Sequence, residues 1–155
     1  MQKKPKICFA ASSGGHFEQI LLLKPLTKEY ESILVTEKTN YGLPKSEIKT
    51  YFLEQVNRRE LSAPVRILKN TWISFKILKD ESPDIIITTG VLAVVPLCIL
   101  AKLMRKKLIF IESYAKIRSG TKTGKLLYHF ADHFIVQWES MKEVYPNAYF
   151  AGSIY

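Results

Sequence analysis

The alternation of short apolar runs with helical patterns constrains the fold of this sequence more than any other feature. Seven runs have the β-rich character of strands: residues 6–11, 33–36, 50–53, 84–88, 108–112, 134–137 and 149–151. Helical patterns fill the gaps between them: residues 17–28, 62–79, 91–106, 125–130 and 140–144. The fourth and fifth strands are continuously apolar, which is typical of a parallel sheet covered on both faces. The pattern predicts one α/β domain over residues 1–155, a Rossmann-like parallel sheet with helices on both faces.

The residues that follow the strands are the first candidates for a ligand site, because ligands of open parallel sheets bind outside the carboxyl ends of the strands. The first strand is followed by a segment that we call the glycine turn, Ser12, Ser13, Gly14, Gly15 and His16. Glycines let a ligand approach the backbone, and the start of the next helix favours an anion. The glycine turn therefore predicts a phosphate site, and a tight turn that binds nothing is the alternative.

Two further strands end in residues suited to the same edge of the sheet. Thr89 and Gly90 follow the fourth predicted strand, and Glu112 closes the fifth. Arg118 lies in the basic segment that comes after Glu112. Helix capping alone would explain several of these small polar residues.

Two nucleotide-binding patterns are incomplete in this sequence. The Gly-x-Gly-x-x-Gly pattern of nicotinamide binding is absent, although Glu37 stands where a ribose-binding acid would sit. Residues 119–125 resemble the phosphate-binding loop of ATPases, but three residues rather than four separate the glycines, and Leu126 replaces the required serine or threonine. We interpret residues 119–125 as a mobile basic loop that grips an anionic substrate near the fifth strand.

The positive charge of the chain is concentrated in two segments. The formal net charge is +9, of which residues 57–79 carry +5 and residues 102–125 carry +7, so the rest of the chain carries −3. Such concentration favours an anionic partner, although solvated helix or loop faces are the alternative. Nucleic acid is disfavoured, because no strand interleaves aromatic residues with basic ones.

The predicted helix over residues 62–79 has more apolar surface than one core face requires. Leu61, Val65, Leu68, Trp72 and Phe75 form one stripe, and further apolar residues lie off it. An anionic membrane surface would suit this helix, and burial between the sheet and its neighbours is the alternative. The predicted membrane residues are Arg66, Lys69, Trp72, Phe75, Lys76, Arg105, Lys106 and Lys107.

Several features predict a cytoplasmic protein without a membrane span. The apolar run after the basic start is too short for a signal peptide, and the longest apolar stretch, residues 91–104, falls short of the roughly 20 residues that cross a bilayer. Two cysteines, Cys8 and Cys98, are too few for a disulfide framework or a zinc site. No metal-ligand spacing is found, so we predict no metal and no tightly bound cofactor.

The order and spacing of these motifs resemble the N-terminal half of GT-B glycosyltransferases. The resemblance covers the whole chain and rests on the glycine turn, Thr88-Thr89-Gly90, Glu112 and Ala131-Asp132. The sequence is most similar to the small acceptor-binding, membrane-associated subunit of the two-part N-acetylglucosaminyltransferase of dolichol-linked oligosaccharide assembly. It also looks like bacterial relatives that serve capsule and exopolysaccharide synthesis. A more distant resemblance is to the peptidoglycan N-acetylglucosaminyltransferase that acts on an undecaprenyl-diphosphate sugar.

The resemblance implies half of an enzyme. It implies that the chain binds a polyprenyl-diphosphate-linked sugar at the inner face of the cell membrane. A separate subunit would bind the UDP-sugar donor, since the chain ends at residues 151–155, where a one-chain enzyme would cross to its second domain. The products expected from the bacterial relatives are capsular polysaccharide or exopolysaccharide.

The resemblance also implies roles for the residues at the carboxyl edge of the sheet. Gly14 and Gly15 would leave room for the diphosphate, helped by the other predicted binding residues, Ser12, Ser13, Thr89, Gly90 and Arg118. His16 would orient phosphate or take the proton of the acceptor hydroxyl. Glu112 would bind acceptor hydroxyls, or pair with Arg118. Two other functions stay open: a non-catalytic scaffold that recruits a glycosyltransferase, and a nucleotide-binding oxidoreductase.

Overall fold

A computed structural model of the chain describes residues 4–12, 14–38, 48–57 and 59–154. Ser13, one of the predicted phosphate-binding residues, lies outside the described residues, as does Arg58 of the first basic segment. The strands are β1 (Ile7–Ala11), β2 (Ser32–Glu37), β3 (Lys49–Leu53), β4 (Ile85–Gly90), β5 (Lys107–Ile111), β6 (His133–Val136) and β7 (Tyr149–Phe150). The α-helices are α1 (Gly15–Leu21), α2 (Ala63–Glu81), α3 (Val95–Leu103) and α4 (Lys122–Leu127). Short 3₁₀ helices cover Lys24–Lys28, Leu92–Val94 and Glu139–Glu143.

All seven strands are parallel and lie in the order β3-β2-β1-β4-β5-β6-β7. The chain builds outwards from β1 to β3 and then returns to place β4 on the other side of β1. The carboxyl ends of β1 and β4 therefore form the switch point, where α/β sheets of this kind bind ligands. The glycine turn follows β1 at this point.

Helices cover both faces of the sheet, as the sequence predicts. The larger core packs α2, α3 and α4 against one face, and it includes the buried thiols of Cys8 and Cys98. The smaller core packs Phe17 and Ile20 of α1 against the other face. Burial raises the pKa of both thiols, which suits apolar packing rather than thiolate chemistry.

Two predicted helices are shorter in the structure than the patterns suggest. Residues 17–28 divide into α1 and a 3₁₀ helix that has Pro25 in its first turn. Residues 91–106 divide in the same way, into the 3₁₀ helix Leu92–Val94 and α3, where Pro96 occupies the first turn. The chain then leaves α3 through Arg105, whose φ of 59° is left-handed.

An ion cluster joins three elements at the amino edge of the sheet. Glu81, at the end of α2, accepts hydrogen bonds from Lys6 at 2.6 Å, from Lys49 at 2.5 Å and from the Tyr51 hydroxyl. The hydrogen bonds from Lys49, Lys6 and Tyr51 lower the pKa of Glu81 to about 2. The cluster ties α2 to β1 and β3.

This cluster predicts acid sensitivity. Because the pKa of Glu81 is lower in the folded chain than in the unfolded one, its contribution to stability is present near pH 7 and is lost as the pH falls from about 5 towards 2. We expect Glu81→Gln to be less stable than the native chain near pH 7 and to lose less further stability on acidification. Urea midpoints at pH 7 and pH 3 measure both effects, with the exposed neighbour change Asp80→Asn as control. Equal acid sensitivity of native chain and Glu81→Gln would contradict the prediction.

Candidate functional site

Two residues of the glycine turn, Gly14 and Gly15, are open to solvent at the switch point. Gly14 has a φ of 87°, a left-handed conformation that glycine adopts without strain, and its carbonyl accepts hydrogen bonds from the N–H groups of Phe17 at 2.8 Å and Glu18 at 3.1 Å. Gly14 and Gly15 are both exposed, and a Cβ atom added to either would meet no atom within 4 Å. Protein packing therefore does not explain why Gly15 lacks a side chain. The space above it is available to a ligand.

Thr89 and Gly90 support the glycine turn from β4. The Thr89 hydroxyl donates a 3.1 Å hydrogen bond to the carbonyl of His16, which joins the ends of the two switch-point strands. Gly90 is buried, has a φ of 88°, and a Cβ atom there would lie 3.1 Å from the ring of Phe110. Packing within the protein thus accounts for glycine at position 90, in contrast to position 15.

His16 is half-buried beside this junction. Its Nδ1 atom is buried and has no hydrogen-bond partner among the described residues. Burial lowers the pKa of His16, and the nearby Glu112 carboxylate and a backbone hydrogen bond with Thr89 oppose this shift. The neutral imidazole is therefore favoured near pH 7, a form that can accept a proton or a hydrogen bond.

Glu112 is almost completely buried, with 1% of its surface exposed, and both carboxylate oxygens accept hydrogen bonds from the protein. The Ser113 N–H donates to Oε1 at 2.9 Å. The Thr121 N–H and the Tyr145 hydroxyl donate to Oε2 at 3.0 and 2.9 Å. Arg118 is exposed, and among the described contacts no ion pair joins it to Glu112.

Glu112 thereby holds the connection from β5 to α4, which we call the β5–α4 loop, residues 112–121. The Trp138 indole donates to the Tyr114 carbonyl at 2.7 Å, and the Ser140 hydroxyl donates to the Ile117 carbonyl at 2.5 Å. The prediction of a mobile basic loop over residues 119–125 is wrong, because its second half is the first turn of α4 and its first half is tied to Glu112. Arg118 is therefore an exposed side chain on a loop that hydrogen bonds hold in place.

A polar recess adjoins the glycine turn on the side of β2 and β3. This recess has a volume of about 390 Å³ and is lined by Ser12, Glu37, Gln55, Val56, Asn57, Glu60, Arg66 and Val91. Glu37 is only 4% exposed, and burial raises its pKa. The sequence pattern pointed to Glu37 only as a ribose ligand and gave no signal for Gln55 and Asn57, although Glu37 ends β2 and the other two follow β3.

The apolar stripe of α2 faces outwards, so the alternative that the sheet and neighbouring helices bury it is wrong. Leu61, Val65, Leu68, Trp72 and Phe75 are exposed, with Leu68 at 71% and Trp72 at 60%. The face towards the protein is partly polar instead. It carries a buried asparagine, Asn70, which exchanges two 2.8 Å hydrogen bonds with the backbone of Glu54, and the buried Ser74.

The basic residues predicted to contact a membrane fall into two places. Lys76 lies 5.3 Å from the ring of Trp72, while Lys69 pairs with Glu54 and Arg66 with Glu60. Lys107 begins β5 at the amino edge of the sheet, with Arg105 and Lys106 beside it. The basic residues of segment 102–125 therefore lie on two separate surfaces, because β5 carries the chain from the amino edge of the sheet to its carboxyl edge.

Comparison with known proteins decides the family. The family described as "Oligosaccharide biosynthesis protein Alg14 like" matches residues 53–154. The chain belongs to the Alg14-like family. It is 29% identical to the human UDP-N-acetylglucosamine transferase subunit ALG14 and 31% identical to the rat protein, in each case over 96% of this chain and 82% of the relative. The subunit of the same name from Yarrowia lipolytica is 29% identical over 96% of this chain and 80% of its own length.

Solved structures confirm the fold class of this Alg14-like chain. MurG of Acinetobacter baumannii superposes with a TM-score of 0.73 at 21% identity, over 88% of this chain and 43% of MurG. A UDP-N-acetylglucosamine 2-epimerase from Rickettsia bellii superposes with a TM-score of 0.74 at 17% identity, over 98% of this chain and 46% of the epimerase. The chain thus spans less than half the length of these structures. The fold is the parallel-sheet domain predicted from its likeness to the N-terminal half of GT-B glycosyltransferases.

Membrane-spanning helices and metal-binding clusters are both absent from the described residues. Within residues 4–12, 14–38, 48–57 and 59–154, no helix is both long and apolar enough to cross a membrane. In that same part of the chain, no three His, Cys, Asp or Glu side chains are grouped to hold a metal ion.

Proposed function

We propose that this Alg14-like chain is the acceptor-binding subunit of a two-component, UDP-sugar-dependent glycosyltransferase. The observation that carries the proposal is the open backbone of Gly14 and Gly15 at the switch point, with His16 and the polar recess beside it. The names of the relatives, each a UDP-N-acetylglucosamine transferase subunit, support a UDP-sugar donor and a partner. The partner would bind most of the donor, so this chain needs no tightly bound cofactor.

The proposed acceptor is a sugar on a polyprenyl diphosphate. Its diphosphate would approach the backbone at Gly14 and Gly15, where no side chain blocks it. Arg118, presented by the β5–α4 loop, would supply positive charge from the other side of the switch point. His16 would hydrogen bond to the phosphate or to the acceptor hydroxyl, and Glu112 would keep the loop in position.

The proposed setting is the cytoplasmic face of a membrane, to which the chain binds peripherally. The exposed stripe on α2, with Lys76 against Trp72, has the composition of a surface that sits among lipid headgroups. Arg105 and Lys106 would add charge at the amino edge of the sheet.

The proposed product is a lipid-linked oligosaccharide precursor. The family description refers to oligosaccharide biosynthesis, and the relatives are named for UDP-N-acetylglucosamine transfer. The expectation of capsule or exopolysaccharide synthesis receives no support from these names.

Gly15→Val tests the proposed acceptor site without disturbing the fold. Because nothing lies within 4 Å of an added Cβ atom, we expect the free energy of unfolding to stay within about 1 kcal/mol of the native value. Transfer from UDP-N-acetylglucosamine to a polyprenyl-diphosphate sugar, assayed with the partner subunit, should fall about tenfold or more as the side chain fills the space for phosphate.

Gly15→Ala is the graded control, and it should fall between the native chain and Gly15→Val. Full activity of Gly15→Val would contradict an acceptor site at the glycine turn. Unchanged partner binding and activity in both Gly15→Ala and Gly15→Val would favour a non-catalytic scaffold instead.

Leu68→Ala combined with Trp72→Ala tests the membrane surface. Both side chains are exposed, so folding should be little affected, whereas sedimentation with anionic vesicles should weaken about tenfold or more as apolar contact is lost. Binding of the native chain should also weaken at high salt. Leu22→Ala, an exposed leucine at the end of α1, is the matched control. Undiminished sedimentation of the double variant would exclude this role for α2.

A further inference from the structure

A second recess, which we call the α2–α3 groove, lies between α2 and α3. The groove has a volume of about 240 Å³ and is lined by Ile67, Thr71, Leu92, Val95, Pro96, Ile99 and Leu100. Thr71 is its one polar lining side chain, and its hydroxyl donates to the Ile67 carbonyl at 2.8 Å within α2. The walls therefore offer hydrocarbon contact and no unsatisfied polar group, which suits an apolar ligand.

The groove lies next to the polar recess. The recess is lined by Arg66 and Val91, and the groove by the next residues along the chain, Ile67 and Leu92. A polar recess beside the glycine turn and an apolar slot are therefore neighbours. Side by side, they suit an amphiphile with a polar head and a hydrocarbon tail.

The groove borders the exposed stripe of α2. Thr71 is one helical turn from Leu68 and from Phe75, both exposed, and Ile99 on the opposite wall is 40% exposed. A chain lying in the groove could therefore continue into a bilayer without crossing polar surface. A volume of about 240 Å³ holds only a short stretch of hydrocarbon, so the groove would select the part of the tail next to the head.

We propose that the α2–α3 groove binds the isoprenoid units nearest the diphosphate of the lipid-linked acceptor. This inference rests on the proposed function and assigns the tail of the acceptor a protein site, distinct from the general contact of the α2 stripe with lipid. The groove would hold the diphosphate at a fixed distance from the membrane and would discriminate acceptors by the lipid next to their head.

Thr71→Phe is the variant that fills the groove, and Thr71→Val is its control, because valine keeps the volume of threonine. With the reconstituted two-subunit enzyme, we expect Thr71→Phe to raise KM about tenfold or more for a long-chain polyprenyl-diphosphate sugar, with kcat unchanged. An acceptor whose lipid is a single short alkyl chain should show the same KM with both variants. Equal shifts in KM for both acceptors, or no shift for the long-chain acceptor, would overturn the inference.

Photolabelling detects lipid bound in the groove without requiring glycosyl transfer. A polyprenyl phosphate with a diazirine in its first isoprene units should label α2 or α3 of the full chain on vesicles, and Thr71→Phe should reduce this labelling while sedimentation with the vesicles stays the same. Labelling elsewhere, or equal labelling by a diazirine phosphatidylcholine, would overturn the inference. If the labelling holds but no acceptor is glycosylated, the proposed function fails and the lipid site stands.

Discussion

Glu112→Ala is expected to lower the free energy of unfolding by about 3 kcal/mol or more, because it leaves buried N–H and O–H donors without their acceptor. The affected donors are the N–H groups of Ser113 and Thr121 and the hydroxyl of Tyr145. Burial, with the Glu112 carboxylate close by, raises the pKa of Tyr145, so the phenol stays protonated and donates. Transfer should fall with stability, since the β5–α4 loop loses its anchor. Thermal or urea unfolding measures the first effect, and the two-subunit assay the second.

Tyr145→Phe separates the two roles of Glu112. If Glu112 acts by holding the loop, Tyr145→Phe should cost about 1–2 kcal/mol and lower transfer in proportion. If Glu112 contacts the acceptor, Glu112→Gln should lose transfer while Tyr145→Phe keeps it. The exposed change Glu143→Ala should alter neither quantity and serves as the control. Native stability of Glu112→Ala would contradict the hydrogen-bond network described here.

Replacement of His16 by alanine is expected to lower kcat by about 10²- to 10⁴-fold if the imidazole takes the proton of the acceptor hydroxyl. His16 is half-buried with an unpartnered Nδ1 among the described residues, and its carbonyl is held by Thr89. Folding should change by about 1 kcal/mol or less, because the side chain makes no hydrogen bond through that atom. The measurement is transfer by the reconstituted enzyme at saturating acceptor.

The pH profile decides what His16 does. Since burial lowers the pKa of His16 below its ordinary value, a base would be active above the lowered pKa, and activity would fall as the pH drops through it. A protonated His16 that binds phosphate would give the opposite profile, with activity lost as the pH rises through the same range. His16→Gln should rescue part of the activity if the ring only donates a hydrogen bond. Native activity of His16→Ala at every pH would show that His16 takes no part in transfer.

The sheet could be predicted from the sequence because parallel strands covered on both faces leave continuous apolar runs, as in β4 and β5. The position of the candidate site at the carboxyl edge of the sheet was predictable for the same reason, since it follows from where each strand ends. The face of α2 that points outwards was not predictable. Periodicity identifies an apolar stripe but not the side on which it lies, and Asn70 shows that a partly polar face can pack inwards. The anchoring of Glu112 was also hidden, because Tyr145 is 33 residues away.

The outward stripe runs along most of the length of α2, and this fixes how the domain would rest on a bilayer. If this stripe contacted lipid, α2 would lie along the bilayer, and so would the strands, which run antiparallel to α2. The carboxyl edge of the sheet would then open sideways, just above the headgroups, rather than away from the membrane. A companion subunit would have to slide in along the membrane plane to close the cleft.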